Sequence, residues 1–226
     1  MVNETVRARL GGLHSAKIAM VSVDFHVVER MQAAGDWTGA GALLADAARA
    51  VENAGADFLV LCTNTMHKVA PAIERAVAIP LLHIADPTAD AIASAGLHTV
   101  ALLGTRFTME QDFYRERLRA QGIETVIPDD AGREWMHRVI YDELCRGIVH
   151  DASRVRLHAL IDALAARGAQ GVVLGCTEIA MLIDVDGASV PIFDTARLHA
   201  EAAALHALGN APLSRLHANV ETAKDG

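Results

Sequence analysis

Two cysteines carry the clearest chemical signal in this 226-residue chain. Cys62 closes the apolar run Phe58–Leu61 and leads into Thr63, Asn64 and Thr65. Cys176 follows Gly171–Leu174 and Gly175, and leads into Thr177 and Glu178. Each thiol thus stands at the carboxyl end of a predicted strand, just before a predicted helix. In α/β sheets, ligands bind beyond those strand ends. Helix N-terminal amides favour an anion there and are expected to lower a thiol pKa. Two such thiols facing each other across a cleft form a two-base pair. One thiolate takes the α-proton of an amino acid and the opposite thiol returns a proton to the other face. A carbanion beside a carboxylate, without an electron sink, needs donors on that carboxylate. Thr63, Asn64, Thr65 and Thr177 surround the cysteines, and the turn Gly104–Thr108 adds Thr105 and Thr108. Glu178 either contacts the substrate ammonium or caps its helix.

Other residues that could do chemistry carry weaker signals. Cys145 falls within a predicted helix and reads as core filler. Cys62 and His67, like Cys145 and His150, are five residues apart, which on a helix directs them away from each other, so no metal site is expected. His67, His83 and His199 read as satisfied structural histidines. The only lysines are Lys17, Lys68 and Lys224, and none sits in a pattern that argues for a Schiff base, so no pyridoxal phosphate or other cofactor is expected. Arg106 and the loop after Phe25 face either a distal substrate carboxylate or bulk solvent. The net charge of −8 argues against nucleic acid or anionic membrane as partner. Three cysteines make no disulfide framework. No apolar run is long enough to span a bilayer and no leader-like h-region appears, so a cytoplasmic location is expected.

Short β-branched runs alternate with helical patterns, which implies parallel sheets. Strands are expected at Lys17–Val23, Phe58–Leu61, Ile79–Ile84, Thr99–Leu103, up to Pro128, at Gly171–Leu174 and at Val190–Phe193. Helices are expected over Asn3–Leu10, Thr38–Asn53, Thr65–Ala78, Asp86–Ala95, Met109–Gln121, Arg133–Arg146, Ser153–Arg167 and Thr195–Leu208. The segment Ala54–Thr63 resembles Arg167–Thr177: a Gly-Ala turn, an apolar strand, then Cys-Thr. Each is followed by a helix and a β-Pro-apolar strand, Ile79-Pro80-Leu81 and Val190-Pro191-Ile192. Duplication into two facing α/β lobes accounts for this pattern. The lobes are expected at 1–96 and 97–208, with the last helix able to pack back on the first, and a polar tail at 209–226. The second half opens with strand Thr99–Leu103, whereas the first half opens on Asn3–Leu10. The repeat therefore predicts that a strand and Gly turn belong before Asn3.

Leu61–Lys68, Leu103–Tyr114 and Leu174–Ile179 together resemble the aspartate/glutamate racemase family, in its aspartate racemase branch with broad-specificity amino-acid racemases. The resemblance runs from Asn3 to about Leu208. It implies two pseudo-symmetric α/β lobes with parallel sheets flanked by helices, an active site in the cleft between them, no cofactor and a homodimer. It places the paired catalytic cysteines at Cys62 and Cys176. It suggests carboxylate contacts from Asn64, Thr65, Thr105, Thr108 and Thr177. Family members open with an apolar strand and a Gly-Gly-Met-Ser-type turn, which this sequence lacks. The expected function is cofactor-independent racemisation or epimerisation of an amino acid, aspartate/glutamate-like or broad in range. Two alternatives stay open. One is other carbanion chemistry, of the hydantoin racemase, malonate decarboxylase or diacid isomerase type. The other is a non-catalytic carboxylate-binding protein.

Overall fold

The computed structural model describes residues 1–183 and 187–209, so the expected polar tail lies outside the described residues from 210 onward. The helices are α1 (Val2–Leu10), α2 (Phe25–Ala34), α3 (Trp37–Asn53), α4 (Ala70–Glu74), α5 (Ala85–Ser94), α6 (Arg106–Glu110), α7 (Asp112–Arg119), α8 (Asp130–Arg138), α9 (Asp151–Ala166) and α10 (Thr195–Ala207). The strands are β1 (Leu59–Val60), β2 (Leu81–Leu82), β3 (Thr99–Gly104), β4 (Glu124–Val126), β5 (Val172–Gly175) and β6 (Ile192–Asp194). No described helix is long and apolar enough to cross a membrane.

The α/β class, the two lobes and the parallel sheets all hold. The larger sheet has the order β4-β3-β5-β6, with every pair parallel. Its central strands read Val100–Leu103 and Val172–Leu174 without a polar residue and are fully buried, as a sheet covered on both faces requires. On one face lie Trp135, Met136, Leu157, Ile161 and Leu164 of α8 and α9. On the other lie Ala85, Ala89 and Ile92 of α5 with Tyr114 and Leu118 of α7. Among the described residues, the first lobe's sheet is the pair β1-β2, registered Leu59↔Leu81 and Val60↔Leu82. Val28 of α2, Ala40, Leu44 and Ala48 of α3 and Ile73 of α4 pack on it. Helix α10 packs against α1 and α5, which ties the two ends of the chain together.

Several expected elements take another form. Lys17–Val23 makes no strand. A strand exists through its ladder, and this stretch finds no ladder partner among the described residues. It is held near its start by Ala16 N–H donating to Asn3 Oδ1 at 2.9 Å. Phe25–Ala34 is a helix rather than a loop. Asp24 caps its start by accepting from His26 N–H, and Gly35 ends it at φ 71° in the left-handed region. Thr65–Ala78 splits into a 3-10 turn, Thr65–Val69, and α4, with Pro71 in the first turn of α4. Met109–Gln121 breaks where Gln111 turns extended, at φ −90° and ψ 150°. Arg133–Arg146 continues past α8 as a π turn, Val139–Glu143, and a 3-10 turn, Leu144–Arg146.

The unpaired stretch leaves Ile18 and Met20 exposed, at 60% and 81%. Exposed apolar chain in extended form invites association. The double substitution Ile18→Lys, Met20→Lys is expected to leave stability within about 0.5 kcal/mol and to suppress self-association. Urea melts and light scattering at rising concentration check both outcomes.

Candidate active site between the two lobes

The site is set by where strands stop. Gly104 of β3 lies opposite Gly175 of β5. A Cβ on Gly104 would lie 2.8 Å from the Gly175 carbonyl oxygen, and one on Gly175 would lie 2.8 Å from that of Leu103. Both positions therefore need glycine for the strands to end this close together, which delivers Thr105 and Cys176 as neighbours. On the first lobe, β1 ends at Val60 and releases Cys62 two residues later.

The two strand ends meet on one cavity of about 140 Å³. Cys62, Thr63, Asn64 and Thr65 line it from the first lobe, and Thr105, Gly175, Cys176, Thr177 and Glu178 from the second. Phe25, Gln32, Ile140, Tyr141 and Cys145 complete the wall. All three cysteines are free thiols. Of the candidate residues named from sequence, only Thr108 stays off the cavity. It is fully buried behind Thr65 and Thr105. These three hydroxyls form a triangle that joins the lobes: Thr65 to Thr105 at 2.9 Å, Thr65 to Thr108 at 3.2 Å and Thr105 to Thr108 at 3.3 Å.

The thiols are not the low-pKa groups that their strand-end positions suggest. Cys62 opens to the cavity mouth, yet the surrounding walls withdraw enough water to push its thiol up. Its Sγ points to the Val60 carbonyl at 3.8 Å. Burial raises the Cys176 thiol well above its ordinary value, and the negative charge of Glu178 adds to the rise. The Cys176 S–H donates to Glu178 Oε2 at 3.0 Å, and the Thr177 hydroxyl donates to the same oxygen at 2.6 Å. Glu178 is thus an acceptor for its own motif. The turns after both cysteines are short 3-10 segments, Thr65–Val69 and Ile179–Met181. At Cys176 the Glu178 backbone amide does lower the thiol, but burial and the Glu178 carboxylate outweigh it, and at Cys62 burial alone sets the direction.

Asn64 bridges the lobes by donating from Nδ2 to Thr195 Oγ1 at 2.9 Å, and that hydroxyl donates to the Leu174 carbonyl at 2.7 Å. The other amide atom, Oδ1, is buried without a partner among the described residues. A buried acceptor left without a donor costs about 1–3 kcal/mol.

Sequence reasoning missed the far wall. Tyr141 donates its hydroxyl to Gln32 Oε1 at 2.8 Å, and Gln32 Nε2 donates to Met66 Sδ at 2.9 Å. Phe25 stacks on Tyr141 at 6.3 Å between ring centroids. Cys145, read as core filler, is a half-buried part of this wall, and burial and the Glu178 charge raise its thiol to about 11. Tyr141 and Cys145 are four residues apart, a spacing that places side chains on one helix face. That was the available signal. Gln32 gave none. Arg106 turns away from the cavity toward Glu134, at 3.6 Å.

The three histidines stand behind the site. His67 Nδ1 donates to the Thr63 carbonyl at 2.6 Å while its Nε2 accepts from Ile84 N–H at 3.1 Å. His83 Nδ1 accepts from Ala85 N–H at 3.2 Å, and His199 Nε2 donates to the Leu82 carbonyl at 2.8 Å. Their rings cluster, with His67 and His83 centroids 4.2 Å apart. Each is neutral and bonded to backbone, as the structural reading of these residues expects. His67 therefore fixes the Thr63 carbonyl, and with it the turn after Cys62.

Comparison with known proteins agrees with this geometry. Residues 1–203 match the model of the Asp/Glu/Hydantoin racemase family. The broad specificity amino-acid racemase RacX of Bacillus subtilis (strain 168) is 28% identical over 153 residues, or 66% of this chain. The chain spans 64% of the length of that relative. A candidate Asp/Glu racemase from Yersinia pestis, solved by crystallography, is 54% identical with a TM-score of 0.84, over 92% of this chain and 90% of that one. An aspartate racemase homologue from Pyrococcus horikoshii OT3 is 32% identical with a TM-score of 0.78, over 91% of this chain and 89% of that one. Fold, site and sequence lead to one assignment: the chain belongs to the Asp/Glu/Hydantoin racemase family.

Proposed function

We propose that this protein racemises a free amino acid by a two-base mechanism, with Cys62 and Cys176 as the bases and no cofactor. The observation that carries the reading is the meeting of these two thiols, from corresponding strand ends of the two lobes, on one small cavity rich in hydroxyls. Thr63, Thr65, Thr105 and Thr177 offer donors to the substrate carboxylate, where negative charge grows as the α-proton leaves. Asn64 Oδ1 and the free oxygen of Glu178 offer acceptors to the ammonium. The ammonium also lowers the thiol pKa values as it docks, because a nearby positive charge favours a thiolate. The raised values thus keep both thiols protonated before a substrate supplies the counter-charge. In the direction that starts at Cys176, Glu178 takes the thiol proton. A protonated Cys62 then delivers hydrogen to the opposite face of the carbanion.

The test is chiral chromatography of a panel of L- and D-amino acids incubated with the purified protein, with and without added pyridoxal phosphate. Conversion of at least one amino acid from both sides to an equal mixture, independent of the cofactor, is the expected result. No conversion, or conversion only with the cofactor, contradicts the proposal.

Glu178 gives a sharper local outcome. Its charge raises the Cys176 thiol pKa, so Glu178→Gln is expected to move that pKa down. Alkylation of Cys176 against pH, with Cys62 and Cys145 replaced by Ser, reads the shift. Racemisation by Glu178→Gln with all three cysteines in place is expected to fall by about 100-fold, the lower end of what a general base contributes.

A further inference from the structure

The cavity lining holds polar groups and a largely apolar wall, and its one charged residue among those described is Glu178. Hydroxyls and the Asn64 amide crowd around the two catalytic thiols, with Glu178 beside them. Phe25, Ile140, Tyr141 and Cys145 form the remaining wall. Among the described residues, no lysine, arginine or histidine lines the cavity. The His137 ring lies behind the wall, 4.7 Å from the Tyr141 ring, and does not line the cavity. Arg106 faces Glu134 at 3.6 Å, Lys68 lies 4.0 Å over the Trp37 ring, and Arg117 holds Asp86 through two bonds of 2.5 and 2.8 Å. Gln32 is committed at both ends of its amide, to Tyr141 and to Met66.

These facts decide what a substrate side chain meets. A second carboxylate reaching the far wall loses water, finds no counter-charge and shares the cavity with Glu178. An ion buried without a partner is strongly disfavoured. An aliphatic, hydroxyl or thioether group meets rings, a methyl-bearing side chain and a thiol, and leaves no charge unpaired. The cavity is small, at about 140 Å³. That space holds a small amino acid.

We propose that the wall formed by Phe25, Ile140, Tyr141 and Cys145 is a side-chain subsite for a small, uncharged amino acid, and that it discriminates against aspartate and glutamate. The assignment rests on the racemase reading and names its substrate class.

Two measurements test it. The first is α-proton exchange in deuterated water, followed by proton NMR, for alanine, 2-aminobutyrate, serine, methionine, aspartate and glutamate. The best uncharged substrate is expected to exceed both acidic ones in kcat/KM by at least about 100-fold, as a buried unpaired group demands. Equal or better turnover of aspartate or glutamate overturns the subsite assignment and leaves the racemase reading standing. Exchange with none of them overturns the racemase reading and the substrate class together. The second measurement uses equilibrium titration with butyrate and succinate, which need no turnover. Butyrate is expected to bind at least about tenfold tighter, and tighter succinate binding overturns the assignment. Phe25 sits at the rim, half exposed, so Phe25→Arg adds a cation with little strain on the core. It is expected to narrow the succinate deficit by about tenfold. An unchanged ratio shows that the distal group does not lie against this wall, which also overturns the assignment.

Discussion

Replacing either Cys62 or Cys176 by Ser is expected to lower racemisation by at least about 10³-fold while the fold persists. Each cysteine acts as a base in one direction and as an acid in the other, so the loss of either stops net inversion both ways. A positioned acid or base contributes about 10²–10⁴-fold, and a serine hydroxyl is far too weak an acid to replace a thiol. The two variants are not expected to be identical. With one base left, proton abstraction from one enantiomer survives in part: Cys62→Ser retains exchange from the enantiomer that faces Cys176, and Cys176→Ser from the other. The measurement is the α-proton NMR signal of each pure enantiomer in deuterated water. Near-normal racemisation in either variant contradicts the two-base account. Circular dichroism of both variants separates lost chemistry from lost structure.

The second large effect concerns acid. His67 is buried, and burial with the neighbouring His199 charge lowers its pKa to about 3. His83 and His199 are also lowered by burial. In the unfolded chain a histidine titrates near 6.5. Below that pH the unfolded state binds protons that the folded state refuses. The contribution of these groups is therefore fully present above about pH 6.5 and is lost as pH falls toward the folded values. Each neutral histidine steepens the loss by about 1.4 kcal/mol per pH unit. The slope starts at about half of that per histidine near pH 6.5 and steepens as pH falls and the unfolded chain takes up its protons, against a typical total stability of about 5–15 kcal/mol. Urea unfolding at steps between pH 7.5 and 5 measures the slope. His199→Gln keeps a donor for the Leu82 carbonyl and is expected to remove about one third of the slope. A flat profile over that range contradicts the neutral, buried state of this cluster.

The pair of strand-end cysteines was legible because its signal is local: an apolar strand, a cysteine, a hydroxyl, given twice. The electrostatics of the pair was not, because it depends on distance and dehydration. Helix-end reasoning lowers both thiols. The folded chain raises both, through enclosure and through Glu178, which stands two residues from Cys176 yet turns its carboxylate back onto the sulfur. The far wall was hidden for a different reason. Tyr141 and Cys145 lie where α8 relaxes into π and 3-10 turns, a change that an apolar period does not reveal. Helix α2, which brings Gln32 and Phe25, was missed although Asp24 and Gly35 bracket it as caps. Lys17–Val23 shows the reverse failure. Its composition is that of a strand, but composition cannot supply a neighbour to pair with.

The central claim is that two different thiols serve the two faces of one carbon. The most direct measurement is racemisation of a pure enantiomer in deuterated water, with both enantiomers separated early in the reaction and analysed for deuterium by mass spectrometry. If Cys62 and Cys176 each serve one face, the product carries deuterium while the unreacted substrate keeps its hydrogen. Deuterium appearing equally in both pools, with hydrogen retained in part of the product, means that one base serves both faces and contradicts the account.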